Sequence, residues 1–152
     1  MKNRIFYIIN SVFYFLLLIV FVYLSLEDGN ESTNTSNFVV NILVSIISFF
    51  KKETYVPSEL FLLLVRKIFG HFLYFLFIGI TSFFFYNGFK IKYHNKLLFH
   101  FISGFIFALF TEFILQNISI NRGPSLYDVL IDYLGFLSIS IILSFIVYKR
   151  QK

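Results

Sequence analysis

Four long apolar blocks, separated by shorter polar stretches, dominate the hydrophobic pattern of the chain. A helix of about 20 residues covers the ~30 Å hydrocarbon core of a bilayer. The pattern therefore predicts an all-α polytopic membrane protein that forms one domain over residues 1–152. Its four transmembrane helices are expected at about residues 5–24, 61–86, 96–116 and 126–148.

The first block differs from the apolar part of a signal peptide, which has about 7–15 residues. It is longer than that, and no small-residue cleavage site follows it at Leu24-Ser25-Leu26. We expect this block to be retained as a membrane anchor.

The connection between the first two blocks has two parts. Residues 27–37 are polar and rich in Asn, Ser and Thr, which predicts a loop. Residues 37–50 carry Asn and Ser at helical spacing among apolar residues, which predicts a short amphipathic helix. We expect this helix to be too short to cross the membrane and to lie on its outer face or cap the bundle.

Composition supports lipid as the solvent for much of the chain. Hydrophobic residues make up 58% and charged residues 14%, against about 45–50% and about 25% in soluble domains. The absence of cysteine excludes disulfides and thiolate chemistry. The net charge of +5 comes from basic residues beside the apolar blocks, so membrane lipid is the expected partner and nucleic acid is not.

Basic residues set the expected orientation, because connections rich in Lys and Arg stay in the cytoplasm. They precede the first block, join the second to the third, and follow the fourth: Lys2, Arg4, Lys90, Lys92, Lys96, Lys149, Arg150 and Lys152. The connection between the first and second blocks is net acidic. We therefore expect a multi-pass protein of the cell membrane with both termini in the cytoplasm.

Ionisable side chains inside membrane helices are informative, because each costs about 2.5–3.5 kcal/mol at mid-helix. In the third block a small or polar residue recurs every four positions, on one helix face: His100, Gly104, Ala108, Glu112 and Gln116. The fourth block has a similar stripe of Asp128, Asp132 and Gly135. Both stripes are expected to face other helices rather than lipid.

With four spans, the second block starts, the third ends and the fourth starts at the outer face. Eight polar residues near these ends are expected to form one functional or ligand-binding group, which we name the outer cluster: Arg66, Lys67, His71, Glu112, Gln116, Arg122, Asp128 and Asp132. His94 and His100 fall on the cytoplasmic side and do not belong to it.

The turn before the fourth block suggests a site for an anion. Ser125 with Asp128 three residues later resembles a capping box, so the last helix should start near Ser125. A helix N-terminus exposes unpaired N–H groups, and Arg122 adds a guanidinium beside it. Asp128 is expected either to neutralise Arg122 or only to cap the helix.

The spacing of these residues resembles that of VanZ-like membrane proteins. Two segments carry the resemblance: Arg66-Lys67-x-x-x-His71-Phe72, and the series Gln116, Arg122, Asp128, Asp132 and Gly135. The chain departs from the family at Phe113, where members often have an acidic residue, and at Tyr74-Phe75, where members have a Glu-Tyr pair. The resemblance implies a protein of the bacterial cell envelope, since namesake members are linked to low-level resistance to the glycopeptide teicoplanin.

Three functions fit this pattern. The first is a non-enzymatic protein that binds an anionic or lipid-linked envelope ligand, or a glycopeptide, at the outer cluster. The second is an intramembrane enzyme that acts on a lipid-linked substrate, with His71 and Glu112 or Asp132 as acid–base groups. No nucleophile elbow, HExxH motif or P-loop accompanies them. The third is a small transporter that uses the carboxylates.

Structural roles compete with each functional one. His71 can serve as a hydrogen-bonding group between helices, and Arg66 and Lys67 can simply extend toward lipid headgroups. One candidate histidine gives little support for a metal site, so neither a metal nor another cofactor is predicted.

Overall fold

The computed structural model describes residues 2–51 and 56–150, and in these ranges it contains helices and no strand. Five long helices follow one another along the chain: α1 (Lys2–Leu26), α2 (Gly29–Lys51), α3 (Glu59–Asn87), α4 (Tyr93–Ile118) and α5 (Leu126–Arg150). The all-α prediction is thus confirmed for the described residues.

Five helices, rather than four, are long and apolar enough to cross a membrane. The four predicted blocks correspond to α1, α3, α4 and α5, with ends that differ by a few residues. The additional helix is α2, which has 23 residues. The prediction that this segment is too short to cross is therefore wrong.

The predicted loop at residues 27–37 is also wrong, because α2 already begins at Gly29. Asp28 caps the helix, since its Oδ1 atom accepts hydrogen bonds from the backbone N–H groups of Asn30 and Glu31, both at 2.8 Å. Thr33 and similar side chains then bond back to carbonyls four residues earlier, at 2.7 Å for Thr33 to Gly29. Polar side chains that usually favour loops are thus satisfied inside this helix.

The start of α2 is also fixed by the turn between α4 and α5. The Gly29 N–H donates to the Ile120 carbonyl at 3.1 Å. A Cβ at Gly29 would lie 2.8 Å from the Asn121 carbonyl oxygen, so the two segments meet at a distance that only glycine permits. This tertiary contact outweighs the local preference of a polar sequence for a loop.

Helix α3 is central in the bundle, because α5 packs along it and α1, α2 and α4 also contact it. A Cβ at Gly135 would lie 2.2 Å from the Phe72 carbonyl oxygen, which marks the close approach of α5 to α3. The α5 stripe of Asp128, Asp132 and Gly135 is buried, as predicted.

Aromatic rings fill the interior, and other large apolar side chains point outward. Phe75 and Phe136 are fully buried, and Phe21 meets Phe75 edge to face at 5.0 Å between ring centroids. Ile19, Ile141 and many similar residues are exposed. An apolar surface of this extent matches the acyl chains of a bilayer rather than water.

Two helices contain a π-helical segment, and both segments lie at the same end of the bundle. Helix α3 is π-helical at Arg66–Leu73, and α4 is π-helical at Phe110–Leu115. Short π-helical segments are rare and occur frequently at functional sites. These two segments contain His71 and Glu112 of the outer cluster.

Candidate functional site

The α4 stripe provides one wall of the site. All five of its residues are buried, as the four-residue spacing predicts: His100, Gly104, Ala108, Glu112 and Gln116. The stripe therefore faces other helices, and it carries Glu112 and Gln116 toward α3 and α5.

Three residues of the outer cluster meet at its deepest point, and we name them the inner triad: His71, Glu112 and Asp132. The His71 Nδ1 atom lies 3.0 Å from Asp132 Oδ1 and 3.9 Å from Glu112 Oε1. Both carboxyl groups belong to fully buried residues. One oxygen of each, Glu112 Oε2 and Asp132 Oδ2, has no hydrogen-bond partner among the described residues. Two buried carboxyl groups thus lie beside the same imidazole, and each has one oxygen atom that accepts no hydrogen bond from the described residues.

A second layer lies one helical turn from the inner triad toward the helix ends. Lys67 forms a salt bridge and hydrogen bond with Asp128, which links α3 to α5. The Gln116 amide donates a hydrogen bond to Glu112 Oε1. Lys67 thus does more than extend toward lipid headgroups, and Gln116 fixes the orientation of a buried carboxyl group.

The cap of α5 is partly as predicted. The Asp128 N–H donates to Ser125 Oγ at 3.2 Å, so Ser125 caps the helix. The Asp128 carboxylate binds Lys67, so the alternative in which Asp128 neutralises Arg122 is wrong. The sequence placed Lys67 and Arg122 in the same cluster as Asp128. Asp128 pairs with Lys67 because α3, which carries Lys67, packs close to the start of α5.

The two arginines of the cluster form no salt bridge with the described residues. Arg122 Nη1 donates to the Leu24 carbonyl at 3.0 Å, and Arg122 Nε is buried without a partner among those residues. Burial, and secondly the nearby charge of Arg66, lower the pKa of Arg122 from its usual value. Arg66 and Arg122 are therefore like charges held close together.

Both arginines line the same two cavities. The inner cavity has about 80 Å³ and also contains His71, Gln116 and residues of α1 and α2. The outer cavity has about 620 Å³ and is bounded by Lys67, Asp128 and the turn between α4 and α5. Arg66, Gln116 and Arg122 line both cavities and form the boundary between them.

Sequence reasoning missed the contribution of α2 to the inner cavity. Ser32, Thr35 and Ser36 line it, together with Glu27. The spacing of these three hydroxyl residues, at positions i, i+3 and i+4, places them on one helix face. That signal was present in the sequence, but it is useful only once the segment is known to be helical.

The second buried histidine, His100, belongs to a separate group. His100 Nδ1 lies 2.9 Å from Ser82 Oγ, and His100 Nε2 lies 2.8 Å from Ser140 Oγ. The fully buried Phe136 stands on α5 one turn from Asp132 and one turn from Ser140, and its ring packs on His100 with centroids 4.6 Å apart. His94 is exposed near the start of α4. His94 and His100 thus lie outside the outer cluster.

Fold and composition together define an all-helical protein with several helices apolar enough for a membrane. No protein-family model, curated protein or solved structure matches the chain.

Proposed function

We propose that the protein is a VanZ-like integral membrane protein of the bacterial cell envelope. It binds the anionic headgroup of a lipid-linked envelope ligand at the outer cluster. One observation carries this proposal: Arg66 and Arg122 line the same two cavities and form no salt bridge with the described residues. Two guanidinium groups held close together without a direct salt bridge favour a bound anion, particularly a phosphate.

In the proposed topology four helices cross the membrane and α2 stays on the outer side. The starts of α2 and α3 lie at the same end, because Gly29 and Leu63 line one cavity. A crossing α2 would carry Lys51 about 30 Å away to the opposite face. The chain from Lys51 to Glu59 reaches at most about 29 Å when fully extended. Helix α2 also packs mainly against Glu59–Val65 of α3 rather than along α1.

The size of the inner cavity favours a headgroup over a whole glycopeptide at that position. Drug-sized ligands occupy pockets of about 300–1,000 Å³, whereas the inner cavity has about 80 Å³. A phosphate group fits this space beside Arg66 and Arg122. In this proposal the connection with teicoplanin resistance runs through the lipid-linked ligand, whose phosphate occupies the inner cavity.

A further cavity offers room for the lipid chain. It has about 210 Å³ and lies beside Arg66, between α1, α2 and α3. Its lining is mostly apolar and includes Leu24, Val39, Phe69 and Tyr74. A headgroup at the arginines can thus continue into an apolar chain without leaving the protein surface.

Binding of a polyprenyl phosphate tests this proposal. The protein in lipid nanodiscs should bind polyprenyl phosphate more tightly than the uncharged polyprenol. Arg66→Gln and Arg122→Gln should each weaken phosphate binding about tenfold or more, because a hydrogen bond to a charged group contributes about 1.5–3 kcal/mol. Lys90→Gln removes an exposed cation outside the cluster and is the matched control.

Two results would overturn the proposal. One is equal binding of polyprenol and polyprenyl phosphate by the wild-type protein. The other is unchanged phosphate affinity in both arginine variants. The melting temperature of each variant in detergent, measured beside binding, separates a lost contact from a lost fold.

An intramembrane enzyme that acts on the same headgroup is the second candidate. The specific observation in its favour is His71, which lines the inner cavity and also contacts Asp132 at 3.0 Å. An imidazole held by a buried carboxylate can act as a general base or acid. Release of inorganic phosphate from polyprenyl diphosphate by the wild-type protein, and its loss in His71→Gln, would favour this candidate over binding alone.

A further inference from the structure

We infer that the inner triad of His71, Glu112 and Asp132 binds one divalent transition-metal ion, with Zn²⁺ as the best fit. This inference is independent of the proposed anion site, because it uses none of the arginines. From the sequence, one candidate histidine gave too little support for predicting a metal site.

The positions of the ligand atoms support a metal site. One ligand atom from each of the three residues lies within 4.8 Å of the other two, and all three residues are buried. Two of these separations, 3.0 Å and 3.9 Å from His71 Nδ1, bracket the roughly 3.3 Å between ligands of a tetrahedral ion with bonds of about 2.0–2.1 Å. Small side-chain rotations would bring the three atoms onto one ion.

The unpartnered oxygen atoms point to a ligand more directly. Glu112 Oε2 and Asp132 Oδ2 are buried and accept no hydrogen bond from the described residues. A buried polar atom without a partner is costly, and metal coordination is one of the few interactions that remove this cost. Both atoms belong to the two carboxyl groups that already face His71.

The charge of the triad supports the same assignment. With a metal bound, the two buried carboxyl groups would be ionised and the imidazole neutral, so the three ligands together would carry two negative charges. A divalent cation neutralises them and leaves the imidazole in the neutral form that coordinates metals. The nearest lysine cannot do this, because Lys67 is already paired with Asp128.

The ligand types select the class of metal. One nitrogen and two carboxylate oxygens suit Zn²⁺ and similar ions, whereas Mg²⁺ and Ca²⁺ prefer six or more oxygen ligands. Gln116 holds Glu112 by a hydrogen bond to Oε1, as residues around metal ligands commonly do. His71 also lines the inner cavity, which offers space for water or a headgroup oxygen as a fourth ligand.

Metal binding by the intact protein tests the assignment. The protein, prepared with a non-histidine affinity tag, is stripped with a chelator and titrated with Zn²⁺ and with Co²⁺, whose visible spectrum reports its coordination. We expect one equivalent of Zn²⁺ to bind and a Co²⁺ spectrum typical of four-coordinate geometry. Glu112→Gln and Asp132→Asn should each lose this binding. Gln116→Leu should weaken it about 10–100-fold.

The other two histidines provide matched controls. His94→Gln and His100→Gln leave the triad intact, so they should retain one equivalent of Zn²⁺. Arg66→Gln and Arg122→Gln should also bind Zn²⁺ at least as tightly as wild type, so failure of the anion site does not remove the metal site.

The assignment is overturned if the folded wild-type protein takes up no Zn²⁺ or Co²⁺, a result that needs no variant. It is also overturned if Zn²⁺ binding disappears in His94→Gln, or if it persists unchanged in properly folded Glu112→Gln and Asp132→Asn.

Discussion

The salt bridge between Lys67 and Asp128 joins two helices at the edge of the outer cluster. Both side chains are mostly shielded, with 21% and 11% of their surface exposed. At this burial the two partners depend on each other, because either one alone would leave a poorly solvated charge.

A double-mutant cycle tests this pairing. Lys67→Gln and Asp128→Asn should each destabilise the protein by about 1–3 kcal/mol, since each leaves an unpaired charge. The double variant should recover much of this loss, because no unpaired charge remains. Thermal unfolding in detergent measures all four proteins.

The matched cycle uses Arg122→Gln with Asp128→Asn and should show little coupling, because Asp128 pairs with Lys67 and not with Arg122. Coupling in the arginine cycle and none in the lysine cycle would contradict the observed arrangement.

These residues also show how far sequence reasoning reaches at this scale. The four-residue spacing correctly placed Glu112 and Gln116 on a buried face, because helix periodicity alone determines which residues share a face. It did not decide which cation Asp128 binds, because that choice depends on how closely α3 approaches α5. The role of the outer cluster as a binding site stays a prediction.

At the scale of helices, Gly135 sets the distance between α3 and α5. Gly135→Ala should lower the stability by at least about 1–3 kcal/mol, the usual cost of overpacking. The reason is that the added Cβ would meet the Phe72 backbone at 2.2 Å, and a backbone atom cannot rotate away. The loss should appear as a lower melting temperature in detergent.

Gly123→Ala is the control for this variant, because a Cβ at Gly123 meets no atom within 4 Å. Its melting temperature should stay close to that of wild type. An equal loss in both variants would show that glycine flexibility, and not helix packing, is responsible.

The helix-scale errors have one origin. The apolar blocks predicted the positions of α1, α3, α4 and α5, since a long run of apolar residues is a strong signal for a helix of that length. The polar stretch at residues 29–36 was assigned by composition, which does not register the Asp28 cap or the contact of Gly29 with Ile120. The π-helical segments likewise leave no signal in hydrophobic periodicity, although they carry His71 and Glu112.

At the scale of the whole molecule, polar residues are divided into two groups along the bundle. The outer cluster surrounds His71, and a second group surrounds His100. Phe136 lies between them on α5 and is fully buried. The two groups of polar residues are therefore separated along α5 by an apolar side chain.

The topology of the chain gives the last prediction, which decides between four and five crossings. The protein has no cysteine, so single cysteines introduced at exposed Asn34, Val56 and Lys92 report accessibility without background. In intact cells, a membrane-impermeant maleimide should label Asn34→Cys and Val56→Cys but not Lys92→Cys. All three should react after the membrane is dissolved, which is the control for reactivity. Labelling of Asn34→Cys with protection of Val56→Cys would mean that α2 crosses the membrane and that five helices span it. Labelling of Lys92→Cys alone would reverse the orientation and place the outer cluster, with both arginines, on the cytoplasmic side.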